Sequence, residues 1–127
     1  MTSIIISRLG GIDQIRQQLL TALKETEENL LSNGTLMKFK GEFAVDHDEA
    51  KLNRYFDNRT EFILARRRLQ DALIMSIADR LEKLNKDLEL GIENLNQELK
   101  NLQNTITILE AVERVIGIIS RIVLLAK

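Results

Sequence analysis

Thr60 to Lys127 is a proline-free run with helical periodicity almost to its last residue, and any fold must accommodate it. Ile92, Leu95, Leu99, Leu102, Ile106 and Leu109 recur at alternating steps of three and four. That spacing is the 3.5-residue seam of a helix packed lengthwise on another helix. Past Leu109 the seam widens. On a helical wheel over 105–127, Glu110, Glu113, Arg114, Gly117, Ser120 and Arg121 share one sector, with Leu124 the apolar exception inside it. Val112, Val115, Ile116, Ile119, Ile122 and Val123 belong to the apolar remainder. A face covering more than half the circumference needs two neighbours at once, as a central bundle helix or an oligomer core provides.

An unbroken helix over 60–127 would rise roughly 100 Å, far beyond a compact domain of this size. A bundle therefore needs a corner. Gly91 is the available candidate, so the expectation is a bend or short turn between Asn85 and Gly91. Against it, Leu84, Leu88, Ile92 and Leu95 continue in helical phase across that glycine. Two successive steps of four form a stutter that helical seams absorb.

Upstream, Ile12, Ile15, Leu19, Leu23 and Leu30 recur at helical spacing after Gly10-Gly11, with Asp13 favourably placed in a first turn. Asn33-Gly34 supplies the stop, since both residues tolerate the left-handed conformation that ends helices. From Thr35 to Val45 the period changes to two: Met37, Phe39, Phe43 and Val45 alternate with Lys38, Lys40, Glu42 and Ala44. The expectation is a small hairpin turning at Lys40-Gly41, or an extended connection pinned by its aromatics. Helix resumes at Asp46–Glu49, where acidic residues suit a helix start. A stripe of Leu52, Phe56, Ile63, Leu69, Leu73, Ile77, Leu81, Leu84 and Leu88 follows. Asn58 and Glu61 have capping-box spacing within this stripe, but continuity through 57–61 is the simpler reading.

The fold expectation is thus a single all-α domain over 1–127, a long-helix antiparallel bundle or coiled coil. Helix is expected over 12–33, a connection over 34–46, and long helices over 47–88 and 92–126. Two such helices beside a 22-residue one leave apolar seam uncovered, which predicts self-association, a homodimer before larger species.

Composition narrows the chemistry. The chain has 127 residues, no proline, no cysteine and one histidine, with a net charge of −1. Without cysteine there is no disulfide framework, thiolate zinc site or cysteine nucleophile. With His47 alone, every His-pair zinc motif is excluded. Asp46-His47-Asp48-Glu49 clusters ligand-type side chains, yet adjacent helical residues cannot all face one ion, and compensation of helix N-terminal charge explains them. Neither a phosphate-cradling glycine loop nor a nucleophile elbow is present. No catalytic residue, cofactor, metal or small-molecule substrate is expected, and the chain reads as non-enzymatic.

Arg66-Arg67-Arg68 invites an anion contact, with Lys51, Arg54 and Arg59 upstream. Three consecutive helical residues fan over about 200°, so at most two share a face, and a solvated or ion-paired face is the plainer reading. The stretch 51–68 holds six basic and two acidic residues; 87–113 holds six acidic and one basic. Antiparallel packing would bring the two together.

The apolar triplet Ile4-Ile5-Ile6 is too short for a signal sequence, and its positive charge follows rather than precedes it. The Asn33-Gly34-Thr35 and Asn58-Arg59-Thr60 sequons count for little without export. The expected setting is the cytoplasm. The leading functional expectation is a helical interaction or scaffold protein acting through self-association or a partner helix. Two rivals are a peripheral membrane protein inserting its C-terminal helix and a nucleic-acid accessory protein using the 51–68 stretch. Low aromatic content and balanced charge argue against both.

Overall fold

A computed structural model of the chain describes residues 17–72 and 78–125. The expectations for Ile4–Ile6, for a start at Gly10-Gly11 and for helix across 73–77 lie outside these residues. The described residues form an all-α bundle of five helical segments. These are α1 (17–30), α2 (Asn33–Asp46), α3 (Glu49–Asp71), α4 (Ala78–Asn101) and α5 (Thr105–Leu125).

The core sits around α5, which packs against both α3 and α4. Ile108, Leu109, Ala111, Val112, Val115, Ile119 and Ile122 are buried along it. They meet Leu88, Ile92, Leu95 and Leu99 of α4, and Tyr55, Phe62, Ala65 and Leu69 of α3. Leu19, Leu23 and Leu30 of α1 complete the same cluster. The wide apolar face of the last helix is therefore used up between two neighbours of similar length. At 23, 24 and 21 residues, α3, α4 and α5 each rise about 32–36 Å.

Matched lengths require corners that differ from the expected ones. The single helix over 47–88 is two: α3 ends at Asp71, and Ala72 turns extended while its N–H donates to the carbonyls of Arg68 and Leu69. An unbroken rod could not lay both halves against one α5; the break lets each half bury a face there. Within α3 the chain does run continuously through 57–61.

The turn expected at Gly91 is absent, because α4 passes straight through that residue. A Cβ there would stand 3.3 Å from Val115 Cγ2 and 3.5 Å from Ile118 Cδ1. Gly91 marks close approach of α4 to α5, which repays the glycine's cost of about 1 kcal/mol in a helix. The corner lies eleven residues later, splitting the helix expected over 92–126. Leu102 adopts φ 50°, and its N–H donates to the Glu98 carbonyl. Asn104 then caps α5, its side chain accepting from Thr107 N at 3.1 Å.

The hairpin or extended connection over 34–46 is also overturned, since α2 is a 14-residue helix. Ser32 caps it by accepting from Thr35 N, and the Thr35 hydroxyl donates to the Asn29 carbonyl at 2.8 Å. Asn33-Gly34 thus opens α2 as well as following α1. The apparent period of two came from opposite sides of one helix. Phe39 is buried, whereas Met37 and Val45 are 56% and 83% exposed. His47 ends α2 at φ 53°, and Asp48 caps α3 by accepting from Lys51 N.

Candidate functional site

The polar side chains between helices are largely spent on holding helices together. Arg66 is buried in α3, its Nε donating to Glu27 Oε1 of α1 at 2.7 Å, with Gln70 Oε1 at 3.4 Å from Nη1. Thr26, fully buried on α1, is hydrogen-bonded to the Ala22 carbonyl at 2.7 Å and the Asn96 amide of α4 at 3.0 Å. Tyr55 stacks on Phe39 with centroids 4.1 Å apart, and its hydroxyl donates to the Leu30 carbonyl at 2.7 Å. That bond satisfies one of the orphan carbonyls at the end of α1. Burial raises the Tyr55 hydroxyl above its ordinary pKa. Among the described residues, no buried side-chain nitrogen or oxygen lacks a partner.

Arg54 binds Glu113 in bidentate fashion at 2.7 and 2.6 Å, joining α3 to α5. The guanidinium hydrogen bonds hold the Glu113 carboxyl below its usual range. This pair joins the basic 51–68 and acidic 87–113 stretches within one chain, while Lys51 and Arg66 bind acids outside the latter. Both side chains are well over a third exposed, so the pair contributes at most about 1 kcal/mol. Lys51 bridges Glu42 and Asp46. Partial burial pushes Glu42 upward, but hydrogen bonds from Thr105 and Lys51 outweigh it and leave that carboxyl lowered. Asp46-His47-Asp48-Glu49 proves to be the α2–α3 corner, with Asp46 Oδ1 accepting from Asp48 N at 2.9 Å.

The expected anion contact is divided. Arg66 points inward to Glu27, and only Arg67 and Arg68 face solvent. Arg59 lies over the Tyr55 and Phe56 rings, 5.6 Å from each centroid. Residues placed on the packing seam separate likewise. Ile92, Leu95, Leu99, Leu109, Val112, Val115, Ile119 and Ile122 are buried inside the chain. Ile116 and Val123 are half-buried, Leu102 sits in the α4–α5 turn, and Ile106 is 41% exposed.

One surface open to an outside partner is the outer side of the α4–α5 hairpin. An open groove there is lined by Asp87, Leu90, Gly91 and Asn94 of α4 and by Arg114, Gly117, Ile118 and Arg121 of α5. Leu90 is 59% exposed on its rim. A Cβ at Gly117 would meet nothing within 4 Å, so helix backbone lies bare along the α5 wall. The helical wheel groups Arg114, Gly117 and Arg121 in one polar sector without reading a groove there, and a corner at Gly91 would have taken Asp87 elsewhere. The phase match of Leu84, Leu88, Ile92 and Leu95 was the signal that α4 continues.

Comparison with known proteins finds no matching family model, curated protein or solved structure. Among the described residues, no helix is long and apolar enough to cross a membrane.

Proposed function

We propose that this chain is a non-enzymatic helical interaction or scaffold protein that acts through an outer helix surface and associates with itself. One observation carries the reading: the α4–α5 groove, open to solvent, combining an exposed Leu90, the bare backbone of Gly117 and paired acidic and arginine rims. Apolar surface framed by charge is the composition of a specific protein contact, the apolar part supplying affinity and the charges register. Most of the leucine seam is buried within the chain, so self-association would use the outer face of the hairpin. A cytoplasmic setting accords with this reading.

The test is solution mass by light scattering on a sizing column across a concentration series. The expected species has twice the 14.6 kDa chain mass, with the same helical circular dichroism throughout. A monomer at every concentration, up to the hundreds of micromolar, would remove self-association as the mode of action.

A further inference from the structure

Building on that proposed association, we infer that the α4–α5 groove is occupied by a second copy of this chain, with the two α5 helices antiparallel and crossing at Gly117.

The outer face of α5 is ordered by charge. Glu113 stands four residues before Gly117, and Arg121 stands four residues after it. A two-fold axis through Gly117 sets Arg121 of each copy level with Glu113 of the other, whose carboxylate can accept from a second guanidinium besides Arg54. The α4 wall extends the match. Gly91 packs against Val115 and Ile118, and the two helices run antiparallel, so Asp87 lies level with about residue 121 of its own α5. The same axis carries Arg114 of the other copy to the level of residue 120, beside Asp87. Each contact occurs twice, as a self-complementary interface requires. A parallel pairing would instead set Arg121 against Arg121, so charge selects the antiparallel form.

Gly117 provides the second line of argument. Among the described residues nothing requires a glycine there, since a Cβ would meet none of them within 4 Å and alanine is the better helix former. Gly91, by contrast, is explained by the Val115 and Ile118 contacts. A helix crossing at residue 117 gives the bare backbone a purpose, because two glycines facing across the axis allow close approach, and the contact would also cover Leu90.

The experiment is sedimentation equilibrium of the full-length chain and its variants. Gly117→Leu is expected to weaken dimerisation at least tenfold, while the melting temperature of the dilute monomer stays equal or rises. Gly117→Ala, which adds only a Cβ, gives a smaller shift in the same direction. Arg114→Asp is expected to weaken the dimer at least fivefold, and Arg114→Asp combined with Asp87→Arg to restore it. Dissociation constants within twofold of wild type for both Gly117→Leu and Arg114→Asp would overturn this interface and leave self-association standing elsewhere on the surface. Failure of the charge swap to restore the dimer would overturn the antiparallel register. A monomeric wild type would overturn the interface together with the association it rests on.

Discussion

The two sides of the bundle are held by different means. Where α5 meets α4, the buried residues are aliphatic, from Leu88 to Leu99 on one helix and Ile108 to Ile122 on the other. Where α1 meets its neighbours, the interface carries Thr26 to Asn96, Glu27 to Arg66, and Tyr55 to the Leu30 carbonyl. Aliphatic packing is strong but tolerant of sliding. Hydrogen bonds and ion pairs between buried groups add little net energy, yet they penalise every register that leaves a partner unmet. The hairpin adheres through aliphatic packing, and the α1 side fixes which residue faces which.

That contrast sets the expected size of each perturbation. Ile119→Ala removes aliphatic bulk from a fully buried site on the central helix and should cost about 4 kcal/mol, read as a fall in the denaturant midpoint at constant slope. A loss under 1 kcal/mol would mean that α5 is not the central helix. On the other side, Glu27→Ala strands the buried Arg66 guanidinium and should cost about 3 kcal/mol. Replacing both partners, Glu27→Leu with Arg66→Met, should recover most of that loss. Recovery identifies a device for register; no recovery would make the pair a true source of stability, and the contrast between the two sides would dissolve. The smallest effect concerns two glycines. Gly91→Ala should lose about 1 kcal/mol, because fully buried, β-branched Val115 cannot give way. Gly41→Ala on α2, where a Cβ meets nothing, should gain up to about 1 kcal/mol from helix propensity. Equal responses at the two positions would deny Gly91 its role at the contact.

The comparison also explains which parts of the fold were legible in the chain. Eight of the twelve residues read as the aliphatic seam are buried, because periodicity reports directly which side of a helix faces away from water, while Leu102, Ile106, Ile116 and Val123 depart from it. On the α1 side the apolar residues Leu19, Leu23 and Leu30 were legible, and all three are buried, but the polar contacts were not. Arg66 is a charged residue on the buried face of α3, which runs through Tyr55, Phe62, Ala65 and Leu69. Of the stripe read from sequence on α3, Leu69 lies on that face, while Leu52, Phe56 and Ile63 lie at its edge. Nothing local marks Arg66 as inward and Arg67 and Arg68 as outward; the difference is that Glu27, 39 residues earlier, waits beside one of them. Likewise the groove was not read from sequence, because its two walls come from helices whose packing is set by contacts distant in the chain.

By itself, then, the sequence determined the all-α class, though not the helix over 34–46, that α5 must be surrounded, and most of the aliphatic residues of the core. These follow from the period of apolar residues and the absence of proline, both local properties. Only the tertiary structure decided that α3 ends at Asp71, that the last corner falls at Leu102 to Asn104, and what Gly91 does. A turn at Leu102 to Asn104 and a helix passing through Gly91 differ little in local propensity. What separates them is the burial gained when α3 and α4, cut to similar length, both lie along α5, and that gain exists only once all three helices are in place.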